Sequence, residues 1–350
     1  MFLLFCNKNK SLEAADNFEF KGIVEKTVRE SVITDKFENG TILIMSCASG
    51  LLKVVTQFWI CNDDGMPEAL RSKDTLMVND LRDLPYRDLF FNPFFELQQL
   101  FYPFSLLAQL EYKPFSLNDS IDLQDGHFKA DLFTVNDLFC KNRNCKMTIK
   151  DALRNYSHIA LLKTGSQIFE KNHSIFASQL DSISFGRPYS NAGKCLSSMF
   201  EGTLIGYGVY LSSVQMLTLI NAIANSGTMV KPLFKYDNNE TVILKKSIAR
   251  HENIEQVKAV LSVMTPASSD NAAVCGINDF RDSLEFNKPI SSNDSIKYSS
   301  IFLGYFPPEN PKYSVFIAVN SNSDDRYKAF KIADRIGREY RAVVRRNSSK

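Results

Sequence analysis

The stretch Gly206–Pro232, GYGVYLSSVQMLTLINAIANSGTMVKP, is a glycine turn, a short polar entry, one long helix and a glycine stop. Leu211, Val214, Met216, Leu217, Leu219, Ile220, Ile223 and Ala224 make that helix apolar on nearly all sides. A helix of that kind belongs in a core. Asn225-Ser226-Gly227 supplies the C-terminal break, and Pro232 follows it.

Working outward, Glu19–Phe37 has the spacing of an amphipathic helix, with Ile23, Val24, Val28, Val32 and Ile33 on its apolar side. Thr41–Met45 and Leu51–Ile60 are two strands around the turn Ser46–Gly50, a hairpin. Asp63–Tyr86 is polar and poorly periodic and reads as loop. Phe90–Tyr112 is dense in Phe, Leu and Tyr and reads as buried helix. Met147–Phe169 is a second helical stretch, opened by Thr148. Residues 113–146 and 170–205 read as loops with short elements. A strand is expected within Tyr236–Leu244 and a helix over Asn253–Val263. Ser300–Phe306 and Tyr313–Asn320 are strands joined by a proline-rich turn, and Tyr327–Val344 is a closing amphipathic helix. Strands at both ends with helices between them give the α+β class.

Composition sets outer limits. The chain has 350 residues, 44% of them apolar, enough for one large domain. A net charge of +2 gives no strong field for nucleic acid, and no nucleic-acid partner is expected. The basic end, Arg341–Lys350, reads as a solvated tail. Seven cysteines at irregular spacing form no disulfide framework, although Cys140 and Cys145 enclose a short polar loop and suit pairing in an oxidising compartment. No Cys/His cluster has metal-ligand spacing, so no metal site is expected. No run reaches the ~18 apolar residues of a membrane span. Met1–Cys6, MFLLFC, has the look of the stub of one. If the true start lies upstream, Cys6 is a candidate lipidated cysteine.

The Gly-Tyr-Gly turn, the helix start at Ser213-Val214-Gln215 and the ending Ala224-Asn225-Ser226-Gly227 resemble the transpeptidase domain of penicillin-binding proteins. In that family a Gly-Tyr-Gly turn leads to Thr-Pro-x-Gln, then Ala-x-x-Asn-x-Gly and a proline. Gly304-Tyr305-Phe306-Pro307 with Asn310-Pro311 resembles the family's late strand-turn-strand. Met147–Lys163 resembles the helix bearing its second catalytic motif. The ordered matches cover about residues 20–335. The resemblance implies an antiparallel sheet of about five strands flanked by helices, with a mostly helical lobe over about 88–235. It implies a single domain over 19–344, between an N-terminal tail or anchor remnant (1–18) and a disordered end (345–350). No cofactor is implied.

The family works by acyl transfer from a Ser-x-x-Lys pair, whose members share a helix face. Its first motif sits in Phe-Glu-Pro-Gly-Ser-x-x-Lys-Pro-Phe. Here Phe95–Phe104 reads FELQQLFYPF, which puts Gln99 at the nucleophile and Tyr102 at the lysine. A second register makes Ser105 the nucleophile, with Ala108 at its lysine. Tyr156-Ser157-His158 stands where Ser-x-Asn is expected. Val274-Cys275-Gly276-Ile277 stands where Lys-Thr-Gly-Thr is expected, so only Gly276 survives. Loss of the lysine removes the charge that draws in a substrate carboxylate.

All three motifs are degraded on a recognisable scaffold. The expected function is a catalytically inactive transpeptidase-like domain of the cell envelope, outside the cytoplasmic membrane. It would bind proteins of cell-wall synthesis or division, or peptidoglycan peptides. Two alternatives stand beside it. One is an active D,D-transpeptidase or carboxypeptidase with atypical residues. The other is a hydrolase that pairs Cys275 with His158.

Overall fold

Ile42–Met45 is apolar at every position, which suits a strand covered on both faces. The computed structural model describes residues 20–35, 37–61, 75–80, 95–140, 144–183, 200–234, 240–266, 272–282 and 298–348. In it Ile42 and Ile44 face one core, Leu43 and Met45 face another, and all four are fully buried. The Met1–Cys6 stub and Phe90 to Phe94 lie outside the described residues.

The elements begin with α1 (Lys21–Asp35), β1 (Phe37–Ser46), β2 (Leu52–Cys61), β3 (Thr75–Asp80) and β4 (Phe95–Glu96). A 3-10 turn, Gln98–Phe101, leads into α2 (Tyr102–Tyr112). Then come β5 (Ser120–Asp122), β6 (His127–Lys129), β7 (Thr134–Asn136), β8 (Lys146–Thr148), α3 (Ile149–Arg154), α4 (His158–Phe169) and α5 (His173–Ser182). They are followed by α6 (Phe200–Leu204), β9 (Tyr210–Leu211), α7 (Ser213–Ala224), β10 (Met229–Val230) and β11 (Ile243–Lys245). The chain closes with α8 (His251–Met264), β12 (Cys275–Asp282), β13 (Tyr298–Phe306), β14 (Tyr313–Ser321) and α9 (Lys328–Ser348).

The main sheet is antiparallel, in the order β12-β13-β14-β1-β2-β3. It contains the five strands expected from the two ends of the chain. The sixth, β3, lies inside the segment read as loop and pairs with β2 alone, Trp59 opposite Met77. A six-residue edge strand with polar flanks has too short a pattern to be read from sequence.

Helices α1 and α9 cover one face of the sheet. Phe20, Tyr313 and Tyr340 pack edge-on there, with ring centroids 4.9 and 5.4 Å apart. α9 runs on to Ser348, past the end expected at Val344. Arg345 and Arg346 in its last turn suit the negative end of the helix dipole. α7 packs on the other face, against β1, β13 and β14. The helical lobe, centred on α2 with α4, α5 and α8 around it, lies beyond β12.

All twelve residues of α7 are buried. Its start is a capping box: Ser212 accepts from Gln215 N, and Gln215 reaches back to Ser212 N. Asn221 donates to the Ser46 carbonyl at 3.2 Å and to Ser314 Oγ at 3.0 Å, pinning the helix to two strands. Gly227 takes φ +96° just past the end.

The stretch Met147–Phe169, read as one helix, is β8 followed by α3 and α4. Thr148 caps α3 by accepting from Asp151 N, as expected. The break comes at Tyr156, whose φ is +58°, and Ser157 then caps α4. The segment 113–146 carries two small strand pairs, β5–β8 and β6–β7, and a Cys140–Cys145 disulfide.

Candidate functional site

The first-motif segment is held by the glycine turn that precedes α7. β4 pairs with β9, Glu96 opposite Tyr210, and Glu96 Oε1 accepts from Gly208 N at 2.7 Å. Gln98 N donates to the Gly206 carbonyl at 3.2 Å. Gly206 has φ +88°, and a Cβ there would lie 2.4 Å from the Gln98 carbonyl oxygen. Only glycine allows that approach. Gln99 is half-buried in the 3-10 turn, and its carbonyl accepts from Tyr102 N. Tyr102 is buried at the start of α2, and its hydroxyl reaches the Tyr156 carbonyl at 3.4 Å. Burial raises the Tyr102 phenol, and the charge of Asp137 adds to that.

The second-motif segment is built on Asp137, which the sequence did not single out. Its carboxylate accepts from Ser157 Oγ, and from His158 N at 3.1 Å, at the N-terminus of α4. Desolvation raises its pKa, opposed by those hydrogen bonds. The His158 ring meets Tyr102 edge-on at 5.7 Å and lies 6.5 Å from Tyr207. Burial pushes it down to about 4, so it is a neutral aromatic packing group at pH 7.

The third-motif residues, at the start of β12 and just before it, split between two cores. Val274 packs in the core under α1 and α9, not with the other expected cleft positions. Cys275 and Ile277 face the helical lobe. Gly276 pairs with Gly304, and a Cβ on it would lie 2.4 Å from the Leu303 carbonyl oxygen. Gly276 therefore has a packing reason to be glycine.

β12 is an edge strand, so N–H groups on its outer side need partners. Gly276 N donates to Thr265 Oγ1 at 3.0 Å. Asn278 N donates to the Tyr156 hydroxyl at 3.3 Å, and that hydroxyl donates to the Met264 carbonyl at the end of α8 at 3.1 Å. Phe280 N donates to Asp279 Oδ1 at 3.0 Å. Further along, Arg281 pairs with Asp279 at 2.5 Å and reaches the carbonyls of Glu96 and Leu97 at 2.6 and 3.2 Å. Both charged side chains are almost fully buried. Desolvation raises the Asp279 carboxyl, and the Arg281 charge opposes this. Strand and helical lobe are thus stitched together by the chain's own groups across the expected substrate groove. Asp279-Phe280-Arg281 did carry a signal: opposite charges two apart share one face of a strand.

The structure brings Gln99, Tyr102, Tyr156 and His158 into one neighbourhood and separates Val274 from it. Ser105, the alternative nucleophile position, faces no open cleft. It is fully buried inside α2, and Oγ accepts from Gln109 Nε2 at 3.3 Å. Gln109 in turn accepts from Thr164 Oγ1 at 2.7 Å. Cys275 and His158 are poised against a thiolate–imidazolium pair. Burial pushes the thiol up to about 11, where Tyr305 and Thr265 are its partners, while the imidazole goes down. Among the described residues no group of His, Cys, Asp and Glu is placed to hold a metal.

The sequence model of the penicillin binding protein transpeptidase domain matches residues 68–278. The chain belongs to that family. Two solved structures share its fold. One is the apo transpeptidase domain of penicillin-binding protein 3 from Burkholderia pseudomallei, 16% identical, with a TM-score of 0.65 over 92% of this chain and 93% of that one. The other is described as a peptidoglycan glycosyltransferase from Burkholderia ambifaria, 17% identical, with a TM-score of 0.65 over 93% and 96%. No curated protein sequence matches the chain.

Proposed function

We propose that this chain is a transpeptidase-type domain without acyl-transfer activity, which acts as a binding or scaffold protein for the machinery of peptidoglycan synthesis or cell division. One observation carries the reading. The outer N–H groups of β12 at Gly276, Asn278 and Phe280 are taken by Thr265, Tyr156 and Asp279, where a substrate strand would otherwise add. The residues at the catalytic positions agree with it. Gln99 is no acyl acceptor of the serine type, Tyr102 is a buried neutral phenol, and Val274 faces the opposite core. The Cys140–Cys145 bond supports an oxidising compartment such as the outer side of the cytoplasmic membrane.

A fluorescent penicillin tests this directly. Folded chain incubated with excess reagent is expected to give no covalent band after denaturing electrophoresis. A band that disappears in Ser105→Ala or Gln99→Ala would restore the active transpeptidase or carboxypeptidase reading.

A further inference from the structure

Away from that cleft, three chain reversals and one helix face enclose a pocket of about 530 Å³. The β1–β2 turn, the end of α7 and the β13–β14 turn form three sides. The fourth is α8, whose His251, Glu255 and Lys258 lie four and three residues apart on one face.

Its charges are unevenly matched. Glu255 holds Lys258 at 2.9 Å, and Glu309 holds Arg341 at 2.8 Å and 3.0 Å. Lys258 also reaches Ser226 Oγ at 3.4 Å. Among the described residues Lys312 and His251 pair with no carboxylate. At the wall, Cys47 lies near both lysines. Burial raises its thiol, and the ammonium charges of Lys258 and Lys312 both pull it back down.

We infer that this pocket binds a small organic monoanion, a carboxylate, with Lys312 as its charge partner and Lys258 beside it. The volume falls within the ~300–1,000 Å³ of small-molecule sites and is far larger than a bare ion requires. Two carboxylates line the wall, each served by one cation, so a second negative charge on the ligand meets repulsion. A monoanion matches the single uncompensated lysine. The inference stands independently of whether the β12 cleft is active.

The full chain, labelled with ¹⁵N, is titrated with N-acetylglycylglycine, with its C-terminal amide and with inorganic phosphate. The acid is expected to bind with a Kd below about 5 mM, and the amide and phosphate at least about tenfold more weakly. Shifts should centre on Ser226, Lys258 and Lys312. Lys312→Gln should weaken the acid about tenfold. If that variant does not fold, Lys258→Gln is read in its place. Equal binding of acid and amide, phosphate binding as tight as the acid, shifts centred elsewhere, or no acid binding at roughly 50 mM would each overturn the inference.

Discussion

The Tyr156 hydroxyl accepts the backbone N–H of Asn278 at 3.3 Å while donating to the Met264 carbonyl at 3.1 Å. One phenol thus satisfies both a β12 edge donor and a carbonyl left over at the end of α8. Removing it with Tyr156→Phe leaves two buried backbone groups without partners. The expected loss is about 1–3 kcal/mol in urea denaturation, with faster hydrogen exchange at Asn278. Unchanged stability and exchange would show that water replaces the hydroxyl.

Restoring the first motif should not restore acylation. Gln99→Ser combined with Tyr102→Lys rebuilds a serine and a lysine one turn apart. The β12 edge remains occupied, and Val274 remains in the opposite core. The double variant is expected to give no covalent penicillin band, and its buried lysine lowers stability. A band would mean that the groove opens readily.

The Asp279–Arg281 pair is buried, and removal of one partner strands a charge. Arg281→Met alone and Asp279→Leu alone are each expected to cost about 3–5 kcal/mol. The double variant is expected to cost less than the sum, read as a coupling energy in a double-mutant cycle. Additive losses would mean that the two side chains act separately.

His158 gives a pH signature. Burial holds its folded pKa at about 4, below the ordinary 6.5 of histidine, so between those values the unfolded chain binds a proton that the folded chain does not. Its contribution is therefore full above pH 6.5 and is lost as pH falls to about 4, an effect of up to about 3 kcal/mol. His158→Phe should flatten the stability profile in that window. An identical slope in wild type and variant would place the titration elsewhere.

Gly206→Ala meets both a left-handed backbone and the Gln98 carbonyl oxygen. A loss of about 1–3 kcal/mol is expected, with the near-ultraviolet spectrum altered around Tyr102 and Tyr207. A neutral substitution would mean that the turn is not what positions Gln98.

The parts legible in sequence were those with local grammar. Ser213-Val214-Gln215 and Asn225-Ser226-Gly227 mark the ends of α7, and an apolar run over both faces marks its burial. The paired strands at both ends had long enough patterns to read. The break at Tyr156 was missed because the apolar positions on either side, Ala152 and Leu153 before it and Ile159–Leu162 after it, were read as one helix across the polar Arg154–His158 that holds its signals, Asn155 ending one helix and Ser157 starting the next. α5 was missed inside a segment read as loop, because only Phe176 and Leu180 of its ten residues are buried, although Asn172 caps it by accepting from Ser174 N and Ile175 N. In the site, the residues standing where the resemblance expects catalytic groups were legible one by one. What fills the groove was not. Asp137 reaches Ser157 across 20 positions and Arg281 reaches Glu96 across 185, and no local pattern encodes such partners.

The occupied edge of β12 also bears on solubility. A row of open N–H groups at the end of a sheet is a template on which any extended chain, including a second copy, can add a strand. Left open, such a row is a route to polymerisation. Thr265, Tyr156 and Asp279 close it from within, so at Gly276, Asn278 and Phe280 this edge offers no open N–H to a second chain.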